Sequence, residues 1–247
     1  MPSRRSSLIL AAPVALLVAI CVGLFLWAPR SELAPLATPT PEPTYAGPAA
    51  PPVLAAAPAS ESIADLIDEA WLVSTAARTG IPERALAAYA GAAALKSQAM
   101  PTCGISWNTL AAIGYVESRH GTYGGASIGP DGKISPAIYG VALDGGSTEH
   151  IPDSDEGTFD KDKKYDRAVG PMQMIPQSWK NWRTDANADH KRDPQNIYDA
   201  VMAAANYLCR ASPDMVGVTG WQAGIESYNS APSYLHAVAR AAIDYAG

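Results

Sequence analysis

Ser106-Trp-Asn-Thr-Leu-Ala-Ala-Ile-Gly-Tyr-Val-Glu-Ser-Arg-His-Gly121 is the stretch from which the rest of the chain is best read. Trp107, Leu110, Ala111, Ile113, Gly114 and Val116 are apolar or small at helical spacing, so it predicts a helix from about Ser106 to Arg119. Gly121 suits the position just past its end, because glycine takes the left-handed conformation without strain. Glu117 then falls in the last turn, facing the negative end of the helix dipole beside an apolar stripe that implies partial burial. Both conditions favour the protonated carboxyl and predict a raised pKa. Taken alone, a glutamate in a last helical turn is more simply a solvated surface residue, so its surroundings must decide.

Working outward, Ser62 opens a helix signature with Asp65 three residues on, and Ile63, Leu66, Ile67, Ala70, Trp71 and Ser74 follow helical spacing up to Gly80. Pro82 is expected in the first turn of the next helix, whose body is the alanine-rich 85–99. Helical patterning returns at 177–182, 194–210, 222–228 and 233–246. Between Gly121 and Val169 there is no sustained period but much Gly, Pro and Asp; a loop this long inside a domain is usually functional. Within it, 134–142 could form a short hairpin. The fold class read from this pattern is mainly α.

The chain has 247 residues and a net charge of −6. Arg4, Arg5, Arg30, Glu32 and Glu42 are the charges of the first sixty residues, so the remainder is acidic, with no basic stripe. That balance argues against nucleic acid as a partner. The N-terminus carries an address. Arg4 and Arg5 precede an uncharged run, Leu8 to Ala28, long enough to span ~30 Å of hydrocarbon at ~1.5 Å per residue. An uncleaved anchor with its N-terminus in the cytoplasm is the reading adopted, a cleaved signal peptide the alternative, since Leu26 and Ala28 make a poor cleavage pair. Residues 1–28 are therefore expected to be an anchor or signal. Residues 29–60, with Pro39, Pro41, Pro43, Pro48, Pro51, Pro52 and Pro58, should be a semi-extended spacer, leaving 61–247 as the folded domain. Cys103 and Cys209 both lie in the exported part, where a disulfide is the expected state; closing that loop is worth ~4–5 kcal/mol on the chain-entropy model.

Glu117-Ser118 at the end of the Ala-Ala-Ile-Gly helix is followed by Gly170-Pro-Met-Gln-Met-Ile-Pro176, Ala204-Ala-Asn-Tyr-Leu208 and Ser227-Tyr-Asn229. In these motifs and their order, from about Ile105 to the C-terminus, the chain resembles the lytic transglycosylases of the membrane-bound B type. The resemblance implies a lysozyme-like helical domain; the long Gly/Asp-rich loop, expected at the active site from its length and composition, departs from the best-known members. It implies a peptidoglycan substrate, cleaved between MurNAc and GlcNAc to leave 1,6-anhydro-MurNAc ends, by an enzyme in the cell envelope outside the cytoplasm. Glu117 would be the general acid and then the base. Gln173 would line the cleft, Tyr228 would hold the sugar by apolar contact and Asn229 by amide hydrogen bonds, and Tyr165 would also face the cleft. The domain is expected to be monomeric, and its chemistry needs no cofactor. Met172 and Met174 read equally well as core packing.

Asp185-Ala-Asn187-Ala-Asp189-His-Lys191 puts side-chain oxygens at positions 1, 3 and 5 and a carbonyl at 7, as an EF-hand loop begins. His190 and Asn196 then stand where Gly and Glu would be needed, so the simple match fails. The resembled family has a variant loop closed from position 15, here Asp199. Asp185, Asn187, Asp189, the Lys191 carbonyl and Asp199 are thus candidate ligands for a structural calcium, against the plainer reading of an acidic helix-capping turn. Two other functions compete with the transglycosylase. A muramidase or chitinase-like hydrolase would need a second carboxylate, for which the loop offers Asp160, Asp162 and Asp166; a wall-binding protein would need no chemistry at all.

Overall fold

The computed structural model describes residues 41–146 and 148–247. The expected anchor at 1–28 lies outside these residues; among the described ones, no helix is long and apolar enough to cross a membrane. The protein is mainly helical, with α1 (Glu69–Thr79), α2 (Glu83–Ala99), α3 (Trp107–Ser118), β1 (Ser127–Ile128), β2 (Ile134–Ser135), β3 (Tyr139–Ala142), β4 (Arg167–Val169), α4 (Pro176–Trp182), α5 (Ile197–Ala211), α6 (Val218–Tyr228) and α7 (Pro232–Ala246).

The helix expected to start at Ser62 is broken in two. Ser62 caps a single 3₁₀ turn, Ile63–Leu66, and Ile67 is extended at φ −104°. Asp68 then caps α1 afresh, its carboxylate accepting from Trp71 N, and Gly80 ends the helix in the left-handed conformation. The break has a cause in the preceding segment. Leu54 bridges Ile67, Ala55 N donates to Leu66 O, and Asp68 N donates to Val53 O, so these backbone groups are not free to continue a helix.

That segment also moves the domain boundary. A spacer was expected as far as residue 60, but the compact unit begins at Glu42. Ala46 is buried, and Tyr45 sets its ring edge-on to Trp221. Trp107 Nε1 donates to Ala50 O at 2.9 Å, and the buried Asn108 accepts from Ala49 N and donates to Gly47 O. Farther back, Pro43 O meets His236 and Glu42 pairs with Arg240 at 2.7 Å. A proline-rich chain satisfies none of its own backbone groups; here α3, α6 and α7 supply partners.

α2 is buried along most of its length and packs against α3 and α5, while α3 also packs against α7. Pro82 stands at the N-cap of α2, just outside the first turn where it was expected. Between α3 and α4, β1 pairs with β2 and β3 with β4, both antiparallel. The 134–142 stretch is therefore not a hairpin with itself; its two ends belong to two different pairs. Cys103, before α3, is disulfide-bonded to Cys209 near the end of α5.

Candidate active site

Glu117 sits in the last turn of α3, and Arg119 and His120 follow it in left-handed conformation. Burial pushes its carboxyl up to about 7, and a hydrogen bond from Tyr234 pulls the other way. Tyr234 Oη, reaching over from α7, donates to Glu117 Oε1 at 2.5 Å. Burial and the neighbouring carboxylate hold the Tyr234 hydroxyl well above the ordinary phenol range, so it remains a neutral donor.

Ser118 ties this helix end to the next motif. Its hydroxyl donates to Pro171 O at 2.6 Å and accepts from Gly121 N. Gly170 has φ 71°, and a Cβ there would stand 1.7 Å from Pro194 O, so the turn into 171–174 requires glycine. Gln173 follows at φ 45° and donates its amide to Gly170 O. Met172 and Met174 are buried in the core, and Met174 also lines the cleft that holds Glu117. Tyr228, ending α6, donates to Met172 O at 2.7 Å, and Asn229 accepts from Ala231 N.

These segments meet in a cleft of about 700 Å³ lined by Glu117, Gln173, Tyr228 and Asn229, with Tyr207 of α5 beside them. Leu143, Thr148, Glu149 and Ile151 of the long loop form part of its lining. A second concavity of similar size, about 690 Å³, holds none of the expected site residues; Asp65, Glu83, Arg84 and Tyr198 are among its lining. Tyr165 does not line the cleft that holds Glu117. Its ring packs edge-on against His150, with Lys164 over its face, because the Pro152–Tyr165 bridge turns it into the loop's own structure.

The carboxylates that hydrolysis would have needed are also elsewhere. Asp160 is buried and accepts from Asp162 N and Arg167 N, Asp162 pairs with Arg167, and Asp166 accepts from Ser154 twice. They hold the loop together and do not line the cleft. Two acids that the sequence reading passed over do line it, Glu149 and Glu226, both exposed. Tyr234 was passed over too. By sequence it is one more apolar-face residue of α7, and nothing local marks it as the partner of a carboxylate 117 positions away.

In the proposed metal loop, Asp185 accepts from His190 N, Asn187 from Asp189 N, and Asp189 from Lys191 N, with Ala188 and His190 at positive φ. Asp199 is fully buried and accepts from Ala186 N and Asp193 N. Burial raises its carboxyl to about 6, with Asp185 and Asp189 adding to the rise. Asp185 Oδ1 is buried with no hydrogen-bond partner. An orphaned buried carboxylate oxygen is a place a cation could satisfy, but the carboxylates of Asp185, Asp189 and Asp199 do not converge within 4.8 Å as a ready ligand set. Among the described residues, the three carboxylates whose oxygens converge within 4.8 Å are different ones, Asp153, Asp155 and Asp166.

No family model, no curated protein and no solved structure matches the chain.

Proposed function

We propose that the protein is a peptidoglycan lytic transglycosylase with a lysozyme-like helical domain and Glu117 as its one acid and base. The observation that carries this reading is convergence: Glu117, Gln173, Tyr207, Tyr228 and Asn229, from four separated motifs, line one cleft. Its volume of about 700 Å³ lies within the range of ligand-binding clefts. A carboxyl with its pKa near 7 is a proton donor of the right strength for a glycosidic oxygen at neutral pH.

In the proposed reaction Glu117 protonates the oxygen bridging MurNAc and GlcNAc as the C1–O bond breaks. The N-acetyl oxygen of the muramic acid shares the positive charge developing at C1. Tyr234 holds the carboxylate left behind through the hydrogen bond already in place. Glu117 then takes the proton of the same sugar's C6 hydroxyl, whose oxygen closes on C1 to give the 1,6-anhydro ring, and no water is consumed. Gln173 and Asn229 offer amide groups to the sugars.

Hydrolysis on the same scaffold is the second reading, kept because Glu149 and Glu226 share the cleft. Both are exposed, whereas a water-activating base must be held in position. Mass analysis of muropeptides released from purified wall separates the readings. Anhydro ends are expected; reducing ends would establish the hydrolase, and no release would leave a wall-binding protein.

The remaining assignments belong to the same proposal. Residues 1–28 anchor the enzyme in the membrane with the domain outside the cytoplasm, and the Cys103–Cys209 bond accords with an oxidising compartment. Asp185, Asn187, Asp189, Lys191 and Asp199 hold a structural calcium that takes no part in the chemistry.

A further inference from the structure

The lining of the Glu117 cleft is one-sided in charge. Besides Glu117 it carries Glu149, from the turn after β3, and Glu226, near the end of α6, and no Lys, Arg or His lines it among the described residues. Its other polar side chains, such as Gln173, Asn229, Ser178 and Thr148, are neutral. Amides and hydroxyls of this kind complement the hydroxyls and N-acetyl groups of a glycan strand. They offer an anion hydrogen bonds but no positive charge to offset the three carboxylates. The stem peptides attached to muramic acids carry free carboxylates unless these are amidated, and some carry a free amine.

We infer that the cleft selects glycan strands whose stem peptides are low in negative charge, with carboxylates amidated or an amine left free, and that Glu149 and Glu226 set this preference. The inference rests on the transglycosylase reading. Both carboxylates are exposed and line the cleft, so they can meet groups projecting from a strand bound past Glu117. Like charges about 4 Å apart in water change a binding constant by about fivefold, and physiological salt screens them beyond roughly 8 Å. The preference should therefore be several-fold and sensitive to ionic strength.

The test uses the full-length chain in detergent and one purified wall preparation divided in two, one half amidated at its carboxylates with carbodiimide and ammonia. Initial release of anhydro-muropeptides is followed by mass spectrometry. The wild type should work about 3- to 10-fold faster on the amidated half in ~10 mM salt and lose most of that preference in ~1 M salt. The double variant Glu149→Gln, Glu226→Gln should treat the two halves nearly alike; both positions are exposed, so the fold should tolerate it. Equal wild-type rates on the two halves, or an undiminished preference in the double variant, would overturn the inference and leave the transglycosylase reading standing. No anhydro product from either half would overturn both.

Discussion

Glu117 and Asp199 are both carboxylates drawn out of water, one at the end of α3 and the other in the first turn of α5. Burial raises both, to about 7 and about 6. They differ in what the protein gives them in return. Asp199 accepts from two backbone N–H groups, Ala186 and Asp193, and is sealed off from solvent. Glu117 receives one phenolic O–H and faces a cleft. A carboxylate that gathers the backbone of a loop serves that loop's structure; one held by a single neutral donor at a cleft wall can give up and take back a proton. On the proposed reading, burial alone does not separate the two roles; the count and kind of donors would.

The widest separation between them should come from removing each charge. Glu117→Gln should lower turnover by at least ~10²–10⁴-fold, the usual worth of general acid–base catalysis. It should not destabilise the fold, since a glutamine oxygen can still accept from Tyr234. Asp199→Asn should do the reverse: its NH₂ would face backbone N–H donors, at a cost of about 1–3 kcal/mol. Turnover by anhydro-muropeptide release and melting temperature decide the matter together. A Glu117→Gln protein with more than a tenth of wild-type activity would end the assignment of roles.

Reducing the Cys103–Cys209 bond tests how firmly the two regions are coupled, because it links the loop before α3 to the end of α5. The loss should be about 4–5 kcal/mol on the chain-entropy model, seen as a lower melting temperature after reductant. Both thiols should resist alkylation until then. Free thiol at both positions in exported protein would contradict the bond.

Calcium should act on the Asp199 side alone. At about 100 times its Kd, a bound ion stabilises by ~2.7 kcal/mol. Its removal should lower the melting temperature first and activity only as the fold loosens. If calcium shifts the melting temperature no more in wild type than in Asp189→Ala, Asp185 Oδ1 is an orphan for some other reason and the loop is an acidic turn.

Most helices were readable because their apolar positions recur at helical spacing, and Gln173, Tyr228 and Asn229 because short motifs mark them. What escaped depends on partners distant in the chain. The proline-rich stretch reads as a spacer until Asn108 and Trp107 are known to bind its backbone. The break at Ile67 follows from the same segment, since Leu54 claims the strand position that a helix would have used. Tyr165 was placed in the cleft by resemblance, but the loop's own pairing with Pro152 turns it toward His150. Tyr234 carries no local signal because its meaning lies in a glutamate on another helix.

Tyr234→Phe should produce the smallest change, and one that a merely structural residue would not produce. The wild-type carboxyl, raised from 4.5 to about 7, must be protonated to act as an acid, so activity should fall as pH rises through about 7. The Tyr234 hydrogen bond favours the ionised form and lowers that value. Its loss should move the alkaline limb to higher pH. Stability follows the same sign. A carboxyl raised in the folded state contributes stability that is fully present below about 4.5 and is lost as pH rises through about 7. Glu117→Gln should consequently match the wild type near pH 4 and exceed it at pH 8, by roughly 1–3 kcal/mol. An alkaline limb that stays in place or moves to lower pH in Tyr234→Phe would mean that the phenol packs α7 against α3 without governing the proton on Glu117, and the distinction from Asp199 would then have to rest on the cleft alone.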